Sequence, residues 1–161
     1  MNGCHSHKTI GTIEAERDLA GVGDLPLDLS APPLIVVAED DEAVLAGYRA
    51  LLESWGYRVA GGPTLEEVME EIAASHLIPA MIVADLRLAA GQDGVAVVSA
   101  LREHFALNTP ALLISGEITG DFIRHAQGSG IPLLLKPVNA GRLRQILTSH
   151  IGEVPPPTSN A

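Results

Sequence analysis

The 161-residue sequence predicts an α/β domain built on a doubly wound parallel sheet with helices on both faces. Two observations carry that expectation. Five short strand-like runs lie between Leu34 and Leu135, and the first, Leu34-Ile35-Val36-Val37-Ala38, is a continuous apolar run of the kind that suits a strand buried on both faces. Segments whose apolar residues recur at helical spacing separate them, and such alternation implies parallel strands joined by right-handed crossovers. Hydrophobic residues make up 47% of the chain and charged residues 19%, enough for a real core. Aromatics are only 3%, so that core must be aliphatic.

Each element has its own signal. Leu34-Ile35-Val36-Val37-Ala38 is the first strand. Val44, Tyr48, Leu51, Leu52 and Trp55 then recur on one helical face, with Tyr48 and Trp55 as core residues, and Gly56 ends that helix. Tyr57 to Ala60 is a short second strand, followed by a helix opening at Thr64, an N-cap with Glu67 three residues on. Ala80 to Asp85 is the third strand, and a glycine-containing loop leads to a helix over Gly94 to Ala106. Ala111 to Ser115 is the fourth strand, Thr119 to Gln127 a short helix, Ile131 to Leu135 the fifth strand and Ala140 to His150 the closing helix.

The domain is expected over residues 34–151. Residues 1–33 read as a flexible leader with a helical turn or two around Thr12 to Ala20, and residues 152–161, with Pro155-Pro156-Pro157, as a flexible tail. The formal charge of −10 argues against nucleic acid as a partner, since phosphate contacts need clustered Lys and Arg. A single cysteine, Cys4, excludes an internal disulfide, and Cys4-His5-Ser6-His7 lacks the spacing of a closed zinc site. No apolar run reaches the ~20 residues of a membrane span, and no secretory signal opens the chain, so a cytoplasmic location is the expectation.

In open α/β sheets, ligands sit beyond the carboxyl ends of the strands. That rule selects Glu39 and Asp40 after strand one, Asp85 after strand three, Ser115 after strand four and Lys136 after strand five. Three of these are carboxylates. At a ~4 Å separation and an effective dielectric of about 20, each like-charge pair costs roughly 4 kcal/mol. Such a cluster stays ionised only with a cation, and oxygen ligands favour a hard one, Mg²⁺ or Mn²⁺. A carboxylate, a divalent metal, a lysine and a hydroxyl are the parts that move a phosphoryl group onto the carboxylate. The constellation therefore predicts a phosphorylation site at Asp85.

These residues resemble the receiver domain of two-component response regulators. The matching pieces are Val36-Val37-Ala38-Glu39-Asp40-Asp41, Ile82 to Leu88, Asp93-Gly94, Leu113-Ile114-Ser115-Gly116 and Leu135-Lys136-Pro137. The resemblance implies a flavodoxin-like sheet of strand order 2-1-3-4-5, with Asp85 as phospho-acceptor. It implies that Glu39, Asp40, Asp85 and the Arg87 backbone carbonyl hold the metal. Glu39-Asp40 is the better pair than Asp40-Asp41, because Glu39 to Gly56 then matches the family's first helix. Ser115 becomes the switch hydroxyl and Lys136 the phosphate-contacting lysine, with a cis bond to Pro137. The implied partner is a histidine kinase or a histidine phosphotransfer domain, docking where Leu45, Ala46 and Gly47 lie off the main core stripe. Leu51 to Gly56 and Leu135 to Val138 look closest to the C-terminal receivers of hybrid histidine kinases. With no output domain after residue 151, the signal is expected to pass by protein–protein contact.

The sequence departs from that pattern in three places. The loop from Asp85 to Gly94 is one residue longer than the commonest form, with Ala89 where proline is frequent. Leu133 stands where an aromatic ring often couples phosphorylation to output. Arg87 occupies a position that influences how fast the acyl phosphate hydrolyses. Two other classes compete with the receiver, whose only chemistry is on itself. A haloacid dehalogenase-type phosphatase needs a second acid where Arg87 stands. A degenerate receiver acting as a binding module is opposed by the intact Glu39, Asp40, Asp85, Ser115 and Lys136 set. Arg124, His125, Arg142 and Arg144 form either a solvated basic face or a docking surface.

Overall fold

The computed structural model describes residues 31–117, 120–152 and 154. The expected leader, with its Cys4 to His7 stretch, lies outside them except for residues 31–33, and so do Thr119 and most of the tail. The chain alternates β1 (Leu34–Ala38), α1 (Glu42–Ser54), β2 (Arg58–Gly62), α2 (Leu65–Ser75), β3 (Pro79–Asp85), α3 (Gly94–Phe105), β4 (Ala111–Ser115), α4 (Asp121–Gly128), β5 (Leu133–Leu135) and α5 (Ala140–Ile151), with one 3₁₀ turn over Ala89–Gly91. All neighbouring strands are parallel, and the order is β2-β1-β3-β4-β5. This is the doubly wound, flavodoxin-like arrangement.

Successive side chains on a strand point to opposite faces, so each strand feeds two cores. Ile35, Val37, Met81, Val83, Leu112 and Ile114 pack against Tyr48 and Leu52 of α1 and Leu143 and Leu147 of α5. Leu34, Val36, Ile82, Ala84 and Leu113 face the other way, onto Val68, Ile72, Val98, Leu101, Ile123 and Ala126 of α2, α3 and α4. Trp55 is half-buried against the first of these cores, and the Arg144 guanidinium lies 5.5 Å from its ring centroid. Val44, which shares their helical spacing, is 38% exposed.

The strand boundaries shift where backbone pairing, not apolarity, decides. β2 runs on through Gly61 and Gly62, which pair with Val37 and Ala38. A Cβ on Gly61 would stand 2.8 Å from the Val37 carbonyl oxygen, and one on Gly62 2.9 Å from Glu67 Cβ. Close approach demands glycine there, which hides the strand's end from a hydrophobicity pattern. β5 is shorter than its apolar run because Gly130 turns the chain at φ 75° and Pro132 has no N–H to pair. The outer edge of β2 is closed by side chains. Arg49 donates to the Val59 and Gly61 carbonyls, Glu71 accepts from the Gly61 N–H at 2.8 Å, and Arg49 and Glu71 pair at 2.6 Å. The pair takes up edge groups of β2 that a further strand would otherwise bond.

Polar N-caps set the starts of α1, α2, α3 and α5. Asp41 accepts from Ala43 and Val44 N–H groups, Thr64 from Glu67, Asp93 from Val95 and Asn139 from Arg142. Among the described residues, no helix is long and apolar enough to cross a membrane.

Candidate phosphorylation site

The register of the sheet brings the predicted residues together. Ala38 pairs with Ala84, so Glu39 and Asp85 leave adjacent strands side by side. Asp85 pairs with Ile114, and Ser115 with Leu135, so Ser115 and Lys136 follow at the same edge. Carboxylate oxygens of Glu39, Asp40 and Asp85 all lie within 4.8 Å of one another. Asp41 faces away from this group, as the cap of α1.

Burial differs sharply within the cluster. Glu39 is 3% exposed, Asp85 8% and Ser115 4%, whereas Asp40 is exposed to solvent. Glu39 Oε1 accepts from the Asp41 N–H at 3.1 Å, and Asp85 Oδ1 from the Arg87 N–H at 3.0 Å. Lys136 Nζ lies 2.7 Å from Asp85 Oδ2 and 3.7 Å from Glu39 Oε2. The Lys136–Pro137 peptide is cis, as the resemblance implies. Ser115 Oγ accepts from the Glu117 N–H at 3.0 Å and is 3.3 Å from the Glu117 carbonyl oxygen, to which it donates.

The electrostatics follow from that burial. Desolvation pushes the Glu39 carboxyl up to about 7; the Asp41 N–H opposes the rise and the charge of Asp85 adds to it. Lys136 is drawn down by its own burial, but the hydrogen bond and charge of Asp85 outweigh this and raise it. Burial, with the charge of Glu39, pushes the Tyr48 phenol up to about 12, so it stays protonated. The open cleft beside Glu39 and Asp40, about 320 Å³, is lined by four further glutamates, Glu42, Glu67, Glu70 and Glu71. One lysine against three clustered carboxylates leaves the pocket negative. An all-oxygen donor set of that charge suits a hard divalent cation.

A model of the response regulator receiver domain matches residues 35–148. The chain belongs to that family. Solved receiver structures share its fold. The signal receiver domain of a modulated diguanylate cyclase from Desulfovibrio desulfuricans G20 aligns with a TM-score of 0.62 at 27% identity, over 74% of this chain and 94% of that one. Vibrio cholerae chemotaxis protein CheY4 aligns with a TM-score of 0.62 at 19% identity, over 75% and 100%. The signal receiver domain of a putative Luxo repressor protein from Vibrio parahaemolyticus gives 0.60 at 22%, over 74% and 89%. No curated relative matches the chain in sequence.

Within this receiver domain, the residues singled out by the family pattern divide between the pocket and its surroundings. Leu133 is half-buried and packs on the α2–α3–α4 core. The basic residues of α4 and α5 each have a near partner: Arg124 pairs with Asp121, His125 with Asp93, Arg142 with Gln145, and Arg144 covers Trp55. Ala46 and Gly47 are exposed on α1, while Leu45 is half-buried on the core. Sequence reasoning missed two contacts beside the pocket, Arg87 Nη1 to Glu117 Oε1 at 2.9 Å and Asp93 to His125 at 2.7 Å. The first had a visible signal, because Arg87 and Glu117 stand two residues beyond Asp85 and Ser115 on neighbouring parallel strands. The second links segments too far apart in sequence to be paired by spacing.

Proposed function

We propose that Asp85 is a phospho-acceptor in two-component signalling. A carboxylate oxygen of Asp85 attacks the phosphorus of a phosphohistidine on a histidine kinase or histidine phosphotransfer domain. The new P–O bond forms as the P–N bond breaks, and the electron pair leaves with the imidazole. Water later attacks the aspartyl phosphate and returns the free carboxylate and inorganic phosphate, so the chain turns over no external substrate beyond its own phosphorylation.

One observation carries this reading: three carboxylates converge within 4.8 Å, and the lysine of the pocket lies 2.7 Å from Asp85. Glu39, Asp40, Asp85 and the Arg87 backbone carbonyl would hold Mg²⁺ or Mn²⁺. When bound, the ion neutralises charge on the transferring phosphoryl oxygens. Lys136 pairs with those oxygens from the opposite side, and Ser115 can leave its contact with Glu117 to donate to one of them. Exposed Ala46 and Gly47 on α1 offer a small-residue surface on which a donor helix could lie. The Leu51 to Gly56 and Leu135 to Val138 stretches and the long loop after Asp85 favour descent from hybrid-kinase receivers. An arginine two residues after Asp85 opposes phosphatase chemistry of the haloacid dehalogenase type.

The test is incubation with Mg²⁺ and phosphoramidate. A base-labile mass gain of one phosphate is expected, lost in Asp85→Asn. A wild-type protein that never gains it would sink the phospho-acceptor reading and favour a binding module in which Leu133 reflects lost switching. Sustained turnover of phosphate monoesters would point to a phosphatase.

A further inference from the structure

The loop after Asp85 is tied to α4 by its own side chains. The Arg87 N–H donates to Asp85 Oδ1, and Arg87 faces Asp93 across an isolated antiparallel bridge. The Leu88 N–H donates to the Gln92 carbonyl at 2.9 Å and the Gly94 N–H to the Leu86 carbonyl at 3.0 Å. These bonds close residues 86–94 into one compact unit, so a displacement at Arg87 reaches Asp93 directly. Asp93 then makes two contacts at once. Its Oδ1 accepts from the Val95 N–H at 2.8 Å, capping α3, and its Oδ2 lies 2.7 Å from His125 Nε2. His125 belongs to the last turn of α4. An imidazole with a proton on Nε2 donates to that carboxylate whether it is neutral or charged.

We propose that His125 is a positioning residue: through Asp93 it holds the acceptor loop, and the phosphorylation state of Asp85 is transmitted to α4 through the same contact. The inference rests on the phospho-acceptor reading above and names the route by which that site reaches the rest of the domain. Forming the P–O bond takes up one Asp85 carboxylate oxygen and alters what Oδ1 offers the Arg87 N–H. The loop readjusts as a unit, and Asp93 moves relative to His125. Coupling between two sites is reciprocal. If the phosphorylated loop changes the Asp93–His125 contact, removing the contact changes the affinity of the loop for a phosphoryl mimic by the same factor. Leu133 supplies no ring to carry the signal, whereas this hydrogen-bonded path runs unbroken from Asp85 to α4.

Amide hydrogen exchange on the full chain tests the proposal, with Mg²⁺ alone and with Mg²⁺ plus beryllofluoride. In the wild type, beryllofluoride should alter exchange both in residues 86–94 and in residues 121–128. His125→Ala should keep the first change and lose the second, and should shift beryllofluoride affinity about two- to fivefold, as suits a half-exposed pair. His125→Gln, which retains an N–H donor for Asp93, should restore both. A wild type silent at 121–128, an α4 response intact in His125→Ala, or His125→Gln behaving as His125→Ala would overturn it. A wild type unchanged even at residues 86–94 does not bind the mimic; that result removes the phospho-acceptor reading itself, and this inference with it.

Discussion

Lys136 Nζ and Asp85 Oδ2 are held 2.7 Å apart, although 51 residues separate them in the chain. The lysine reaches the carboxylate because β5 and β3 flank β4 with both carboxyl ends at one edge. Among the described residues, its charge is the one positive charge paired with both Glu39 and Asp85. Lys136→Met should therefore slow phosphorylation of Asp85 by phosphoramidate by about 10²- to 10³-fold, the usual cost of losing a group aimed at developing charge. Mg²⁺ should still bind, which titration at matched pH would show. Phosphorylation at the wild-type rate would remove Lys136 from the mechanism.

Glu39 makes the metal-free domain sensitive to pH. Its carboxyl is raised from 4.5 to about 7 in the folded state, so the native protein holds this proton more tightly than the unfolded chain does. Between those values the folded state binds more protons, and stability must fall as pH rises through the window. The loss is at most about 3 kcal/mol. Glu39→Gln should flatten this part of the profile, measured by urea denaturation in EDTA from pH 4.5 to 8. By the same logic, Mg²⁺ should raise Tm more at pH 8 than at pH 6, because protons compete for its ligand at the lower pH.

Gly94 sits where a side chain cannot. A Cβ there would run into the Asp85 carbonyl oxygen and press on the Leu86 Cα, all main-chain atoms with no freedom to give way. Gly94→Ala should destabilise the domain by about 1–3 kcal/mol, as overpacking does, and should lower the phosphorylation rate by moving Asp85 relative to Lys136. Equilibrium denaturation and phosphoramidate kinetics on the same preparation separate the two effects.

Ala106 and Gly47 are each the less favourable residue for their place. Ala106 caps α3 at φ 51°, a left-handed conformation in which a Cβ costs energy. Gly47 lies inside α1, and a Cβ added there would have no atom of another element within 4 Å, so nothing obstructs a methyl group. Ala106→Gly and Gly47→Ala should each stabilise by about 0.5–1 kcal/mol, additively because the sites are independent. Chemical denaturation of the singles and the double checks this.

Sequence alone determined which segments form strands and helices, because burial on two faces imposes continuous apolar runs and one-sided burial imposes helical spacing. It also singled out Glu39, Asp40, Asp85 and Lys136, which the fold brings together, since strand carboxyl ends of a doubly wound sheet converge wherever register permits. Asp85, Lys136, Glu39, Asp40 and Ser115 were therefore legible from position and chemical type. Only the tertiary structure decided which atoms face one another. Glu39 is buried while neighbouring Asp40 is exposed and Asp41 turns away to cap α1, a distinction made by chain direction after β1 and invisible in three consecutive acids. The ends of β2 and β5 were likewise set by glycine close approach and a proline, not by hydrophobicity. The links Arg87–Glu117, Asp93–His125 and Arg49–Glu71 join residues at least 22 positions apart. Of these only Arg87–Glu117 had a signal, in its position beyond two neighbouring strand ends; the spacing of the other two is fixed by packing between elements and not by the period of any one of them.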